Sequence, residues 1–173
     1  IRLNRLHTGL CYLQISRGVA PRNHSFPSES KASIVITTKY SQPAGGRLAD
    51  RGVPVITVED LRWKRRDIKS VSLLPNVLEK EKAVQDDAFE AWFVDVQDNN
   101  VVIEGSSSNA WIVSQNGSLV THPEGVKMLS GVTRNRIIKL ARTNGLQVVE
   151  APFTVDQAKQ ASEAFLTSTS SFV

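Results

Sequence analysis

Arg66-Asp67-Ile68-Lys69-Ser70-Val71-Ser72-Leu73-Leu74 sets one lysine among apolar and small residues, directly after the basic run Arg62, Lys64, Arg65 and Arg66. An amine attacks a carbonyl only after losing its proton, and desolvation and nearby cations both favour the free amine. Lys69 therefore reads as a candidate nucleophile. A surface lysine at a strand end has the same local sequence, so the surrounding chain must decide. From Leu74 the apolar period lengthens. Leu74, Val77, Leu78, Val84 and Ala88 share one helical face, while Glu79, Lys80, Glu81, Lys82 and Asp86 face water. Pro75 suits a first turn, so the pattern predicts a helix from near Ser72 to near Asp87, with Leu74 and Val77 packed on a sheet. Residues 54–58 read as a strand. Lys69 is thus expected at a strand exit just before a helix, a usual place for functional groups in mixed α/β folds.

Downstream, residues 91–96 read as a strand, 98–100 as a turn and 101–103 as a further strand. Glu104-Gly105-Ser106-Ser107-Ser108-Asn109 follows, before a strand at 110–113. That run offers a carboxylate, open space and hydrogen-bond donors at a strand junction. A hairpin-like turn has the same composition. Asn116-Gly117 is a two-residue hairpin signal. Gly131-Val132-Thr133 lies at the start of a helical run with Ile137, Ile138, Leu140 and Ala141 inward, stopped by Asn144-Gly145. Free N–H groups at a helix start suit a phosphate. An ordinary capping threonine at Thr133 is the competing reading. Thr154-Val155-Asp156-Gln157 has the form of a capping box, opening a short helix with Ala158, Ala161 and Ala164. The hydroxyl cluster Thr167-Ser168-Thr169-Ser170-Ser171 can donate to an anion.

Upstream, residues 9–17 and 33–39 read as strands, and the loop between them holds Arg22 and His24. Two apart, they point to one side if the loop is extended. Such a pair can grip a carboxylate, Arg22 with a bidentate fork; a solvated turn is the alternative. Ser41-Gln42-Pro43-Ala44-Gly45-Gly46 is a breaker cluster and the expected domain boundary. With 173 residues, 40% apolar and a net charge of +4, the chain falls in the globular class, not the disordered one. No apolar run reaches the length needed to span a bilayer. The lone Cys11 excludes an internal disulfide, fits a reducing compartment such as the cytoplasm, and reads as a buried thiol. His7, His24 and His122 are too scattered to suggest a metal set. Ile1 at one end and the apolar Phe172-Val173 at the other read as cuts in a longer protein.

An amine, a carboxylate in a small-residue turn, a helix N-terminus and a late hydroxyl cluster together suit pyridoxal phosphate. Its aldehyde requires an amine, its pyridine nitrogen an acid partner, and its phosphate N–H and O–H donors. The sequence resembles the fold-type IV, class IV aminotransferases, and within them the D-amino-acid aminotransferases. The phrases that carry the likeness run almost the whole length: Tyr12-Leu13-Gln14 through Arg17-Gly18, Pro21-Arg22-Asn23-His24, Asp67-Ile68-Lys69-Ser70, Glu104 through Asn109, Thr121-His122-Pro123, Gly131-Val132-Thr133-Arg134 and Thr167-Ser168-Thr169.

The resemblance implies an α+β fold. Residues 1–42 would end a small N-terminal α/β domain, 43–50 would link, and 51–173 would form most of a large cofactor-binding domain with a pseudo-barrel sheet and flanking helices. It implies that Lys69 forms the aldimine and shuttles the proton, and that Glu104 faces the pyridine nitrogen. Val132, Thr133, Ser168 and Thr169 would hold the phosphate, Leu129 would pack on the ring, and Ser107 and Ser108 would shape the site. Arg22 and His24 would grip the substrate carboxylate. The implied activity is transamination of a D-amino acid with a 2-oxo acid, such as D-alanine with 2-oxoglutarate, in a cytoplasmic homodimer. This stretch alone would be weakly active or inactive. Branched-chain-amino-acid aminotransferase and aminodeoxychorismate lyase share that cofactor site and remain alternatives. Ile103 stands where the family has threonine. A different class of function, a basic nucleic-acid-binding module, would rest on Arg62 to Arg66 and Trp63 and predicts salt-sensitive binding. A basic surface feature or the margin of an anion site is the plainer reading of that run.

Overall fold

β-Branched and aromatic residues recur in the strands of this chain, and short polar turns reverse it. The computed structural model describes residues 4–41 and 50–171, and the chain divides into two compact units, Ile1–Gly45 and Gly46–Val173. All of the expected linker except Asp50 lies outside the described residues. In the first unit, β1 (Gly9–Ser16) pairs antiparallel with β2 (Ser33–Tyr40), in register from Gly9 opposite Tyr40 to Ser16 opposite Ser33. Cys11 is exposed, not buried. The apolar run around it is a two-stranded ribbon whose side chains leave alternately on two faces, and both faces are open within this unit.

The second unit holds two four-stranded sheets. One runs β3 (Val55–Glu59), β4 (Glu90–Asp95), β5 (Val101–Gly105), β9 (Phe153–Thr154). The other runs β10 (Glu163–Thr167), β6 (Asn109–Val113), β7 (Leu119–Thr121), β8 (Val148–Glu150). The parallel pairs are β3 with β4 and β7 with β8. Parallel neighbours need a crossover, and here each is a helix: α1 (Leu74–Gln85) joins β3 to β4, and α2 (Val132–Thr143) joins β7 to β8. Gly117, at φ 82°, turns the β6–β7 hairpin where Asn116-Gly117 predicts it. Thr154 caps α3 (Val155–Gln160) in a capping box: its hydroxyl accepts from Gln157 N at 3.2 Å, and its own N–H donates to Gln157 Oε1 at 2.8 Å.

Trp92, Val94, Val102, Ala110, Ile112 and Phe153 form the core shared by the two sheets. Trp111 is fully buried, stacked on Phe165 at 5.6 Å, and its indole N–H donates to Thr167 Oγ1 at 3.0 Å. That contact ties β6 to β10, and truncating such an aromatic costs roughly 3–5 kcal/mol.

Four local expectations are corrected. Leu74, Val77, Leu78 and Val84 of α1 are exposed, and the inward residues are Asn76, Lys80 and Ala83. Asn76 Nδ2 donates to Ser106 O at 2.8 Å, Lys80 Nζ donates to Phe89 O, and Ala83 packs with Val58, Ala88, Ala91 and Phe93. A small side chain lets the helix come close to β4, and backbone carbonyls there take the two polar groups. In α2, Ile138 and Ala141 face inward as expected, but Leu140 is exposed and the fully buried Arg134 completes the stripe. α3 stops at Gln160 because Ala161 turns extended, and Ala164 lies instead in β10 opposite Ile112. β3 also ends at Glu59, so Lys69 sits in an irregular segment between β3 and α1, not at the strand's exit.

Candidate functional site

A cavity of about 660 Å³ opens in the second unit where several element ends meet. The segment before α1 brings Lys69, the end of β5 brings Glu104, and the following turn brings Ser107 and Ser108. Leu129 and the start of α2, with Val132 and Thr133, add a further wall, and the residues after β10 add Ser168 and Thr169. Residues remote in sequence and expected at one cofactor thus line one space. Lys69 itself is exposed, so burial does not supply the desolvation that its sequence setting suggests.

Glu104 is 4% exposed and held from both oxygens. A bulge in the β4–β5 pairing, with Ile103 the extra residue, turns β5 just before it. Such bulges re-aim side chains near functional sites. Val102 enters the shared core, while Glu104 Oε1 accepts from Arg62 Nη1 at 2.5 Å. Glu104 Oε2 accepts from Leu129 N at 3.1 Å and Asn109 Nδ2 at 3.4 Å. Arg62 also grips Asp60 with two bonds, Nε to Oδ1 at 2.9 Å and Nη2 to Oδ2 at 2.8 Å, and lies 4.0 Å over the Phe93 ring. Burial pushes the Glu104 carboxyl above its ordinary range, and it outweighs the opposing pull of Arg62 and Leu129 N. Burial works against the Arg62 cation, but its bonds to Asp60 and the charges of Glu104 and Asp60 prevail and raise it.

The serine turn is built differently from the expectation of free donors. Ser106, Ser107 and Ser108 all direct their hydroxyls to Glu90, a carboxylate on β4 that is 1% exposed. At α2 the N-cap is Gly131, not a threonine; a Cβ there would meet Asn109 Oδ1 at 2.2 Å. Thr133 lies inside the first turn and donates its hydroxyl to Ser168 O at 3.2 Å. The N–H groups of that first turn have no acceptor within the helix, and Gly131, Val132 and Thr133 line the cavity. Ser168 Oγ accepts from the N–H groups of Ser170 at 3.2 Å and Ser171 at 3.0 Å, which leaves its own proton to donate.

Arg22 and His24 lie in the loop of the first unit, both exposed. The basic run does not form a solvent-facing stripe. Arg62 and Arg66 turn inward, Arg66 Nη2 lying 3.1 Å from Asp60 Oδ1, and Arg65 pairs with Asp67 at 2.9 Å. Trp63 lines the cavity. Sequence reasoning missed Asp60 and Glu90, named Asn109 only as the last residue of the serine run, and read Arg62 as part of a basic surface feature or the margin of an anion site. For Glu90 a cue existed: a single carboxylate inside the apolar run Phe89 to Val94. Nothing in the sequence pairs Arg62 with Glu104. Among the described residues no cluster of His, Cys, Asp or Glu could hold a metal ion, and no helix is long and apolar enough to cross a membrane.

The family model described as amino-transferase class IV matches residues 1–173. The chain belongs to the class IV aminotransferases. It is 45% identical over 176 residues to the D-alanine aminotransferase of Staphylococcus aureus strain N315, covering 100% of this chain and 60% of that protein. This class IV aminotransferase chain therefore spans about 60% of the length of the curated relatives it matches. Its fold is that of the Escherichia coli branched-chain amino acid aminotransferase, at a TM-score of 0.81 and 24% identity over 98% of this chain and 57% of that one. It is also that of a hypothetical aminotransferase from Mycobacterium tuberculosis in a PLP-bound form, at 0.76 and 21% identity over 98% and 60%.

Proposed function

We propose that the protein carrying this chain binds pyridoxal phosphate in the cavity and moves an amino group from a D-amino acid to a 2-oxo acid. The observation that carries the reading is the single cavity lined by Lys69, Glu104 and the start of α2. These residues suit the cofactor's chemistry. Lys69 supplies the amine, Glu104 the acid partner for a ring nitrogen, and Val132, Thr133, Ser168 and Thr169 the donors for a phosphate. Leu129 supplies an apolar side chain beside the ring, with Ser107 and Ser108 lining the same space. When bound, pyridoxal phosphate supplies an aldehyde that takes up amines and a ring that accepts electron density from the substrate carbon.

The chain's own groups do the rest. Lys69, exposed where it lines the cavity, would carry the proton to and from the substrate carbon. Arg62, Asn109 and the Leu129 N–H hold the Glu104 carboxyl in one orientation, so the acid is fixed before any ligand arrives. The likeness to D-alanine aminotransferase supports the D-amino-acid branch, with Arg22 and His24 receiving the substrate carboxylate. The family resemblance adds a homodimeric working form. Cys11, the one cysteine of this stretch, fits a reducing compartment such as the cytoplasm.

A substrate survey on the protein at the length of its relatives tests this, using D-alanine, L-leucine and aminodeoxychorismate. D-alanine with 2-oxoglutarate is expected to exceed L-leucine in kcat/KM by about 100-fold or more, as a site that hydrogen-bonds one stereoisomer discriminates. Preference for L-leucine would overturn the branch, and lyase activity without amino transfer would overturn transamination.

A further inference from the structure

Glu90 lies beside the cavity, is almost completely buried, and has no part in the chemistry above. Its Oε1 accepts from Ala91 N at 3.0 Å and from Ser106 Oγ. Its Oε2 accepts from Ser107 N at 3.2 Å, Ser107 Oγ at 2.9 Å and Ser108 Oγ at 2.9 Å. A carboxylate only accepts, whereas a hydroxyl has one proton and two lone pairs. Each serine of the turn therefore gives its proton to Glu90. What Ser107 and Ser108 keep for the cavity is lone pairs.

The backbone holds this arrangement. Gly105 N donates to Ser108 O at 2.7 Å, and Ser106 N donates to Ala91 O at 2.9 Å. Asn76 of α1 takes Ser106 O. Glycine is needed at 105, because a Cβ there would meet Ser108 Oγ at 2.2 Å and Glu90 Cγ at 3.1 Å. Lys80 Nζ, 3.8 Å from Glu90 Oε1, brings a positive charge to the buried carboxylate.

We propose that Glu90 is a positioning residue that turns the serine loop into a hydrogen-bond-accepting wall, one that receives an ammonium or other N–H donor of the occupant and sends its anionic group to the start of α2. The identity of the occupant rests on the pyridoxal phosphate reading; the direction of the serine protons does not.

Two measurements test it. Absorbance titrations with pyridoxal phosphate and with unphosphorylated pyridoxal compare the wild type with the doubly substituted Ser107→Ala/Ser108→Ala chain. The ratio of the two Kd values should change by less than about twofold, because these hydroxyls give nothing to the phosphate. A loss of about tenfold or more confined to the phosphorylated ligand would mean that the serines donate to it, and would overturn the proposal. The second measurement needs no ligand. Removing the Ser107 and Ser108 hydroxyls takes two donors from Glu90 Oε2 and should lower Tm. Glu90→Gln alone should also lower Tm, because its amide protons meet the serine protons. Glu90→Gln added to the doubly substituted chain should restore part of the loss. Strictly additive losses would overturn the proposal. If the doubly substituted chain does not fold, Ser107→Ala at the exposed position serves for both measurements. Non-additive melting across these variants, with a wild-type chain that binds neither ligand, would sink the cofactor reading and leave the assignment of Glu90 standing.

Discussion

At the scale of single residues, the site depends on one buried ion pair. Arg62 reads in the sequence as part of a basic patch, because its neighbours are cations. The fold gives it two carboxylates instead, Asp60 two residues away and Glu104 far along the chain. A buried pair contributes little net stability over an apolar substitute, but breaking it strands the survivor. Arg62→Ala would strand Glu104 and leave Asp60 with Arg66 alone. Urea unfolding should show a loss of about 3–5 kcal/mol, with Arg62→Lys recovering part of it, since a lysine keeps the charge but not the fork. A loss below about 1 kcal/mol, the range of an exposed pair, would mean that Arg62 does not hold Glu104. No local pattern encodes this pairing. It exists only because the chain after β3 passes the end of β5.

At the scale of elements, what was legible is what is decided locally. The Asn116-Gly117 hairpin, the Thr154–Gln157 capping box and the stop of α2 at Asn144-Gly145 follow from side-chain and backbone preferences over a few residues, and all three form. The docking face of α1 was not legible. Its apolar residues suggested one stripe, yet Asn76, Lys80 and Ala83 dock, because β4 and the serine turn offer carbonyls and close approach there. Two substitutions separate the readings. Ala83→Leu should destabilise by about 1–3 kcal/mol through overpacking, whereas Leu78→Ala, on the exposed face, should stay within about 0.5 kcal/mol. Thermal melts that reverse this order would return α1 to the face its sequence suggests.

At the scale of the whole molecule, the site was legible because its parts fall at the ends of elements, and each end carries a short, recognisable phrase. Lys69 precedes α1, Glu104 ends β5, Gly131 caps α2 and Ser168 follows β10, and one cavity collects them. Glu90 escaped because it acts from behind the wall through the serines. Arg22 and His24 belong to the other unit, and their role as the carboxylate grip belongs to the proposed function. The central claim is that the amine at position 69 is the one that takes up pyridoxal phosphate. Incubation with the cofactor, reduction with borohydride, digestion and peptide mass mapping test it directly. The account predicts the reduced label on the peptide containing Lys69 and its loss in Lys69→Ala; a label on another lysine, or none, would contradict it.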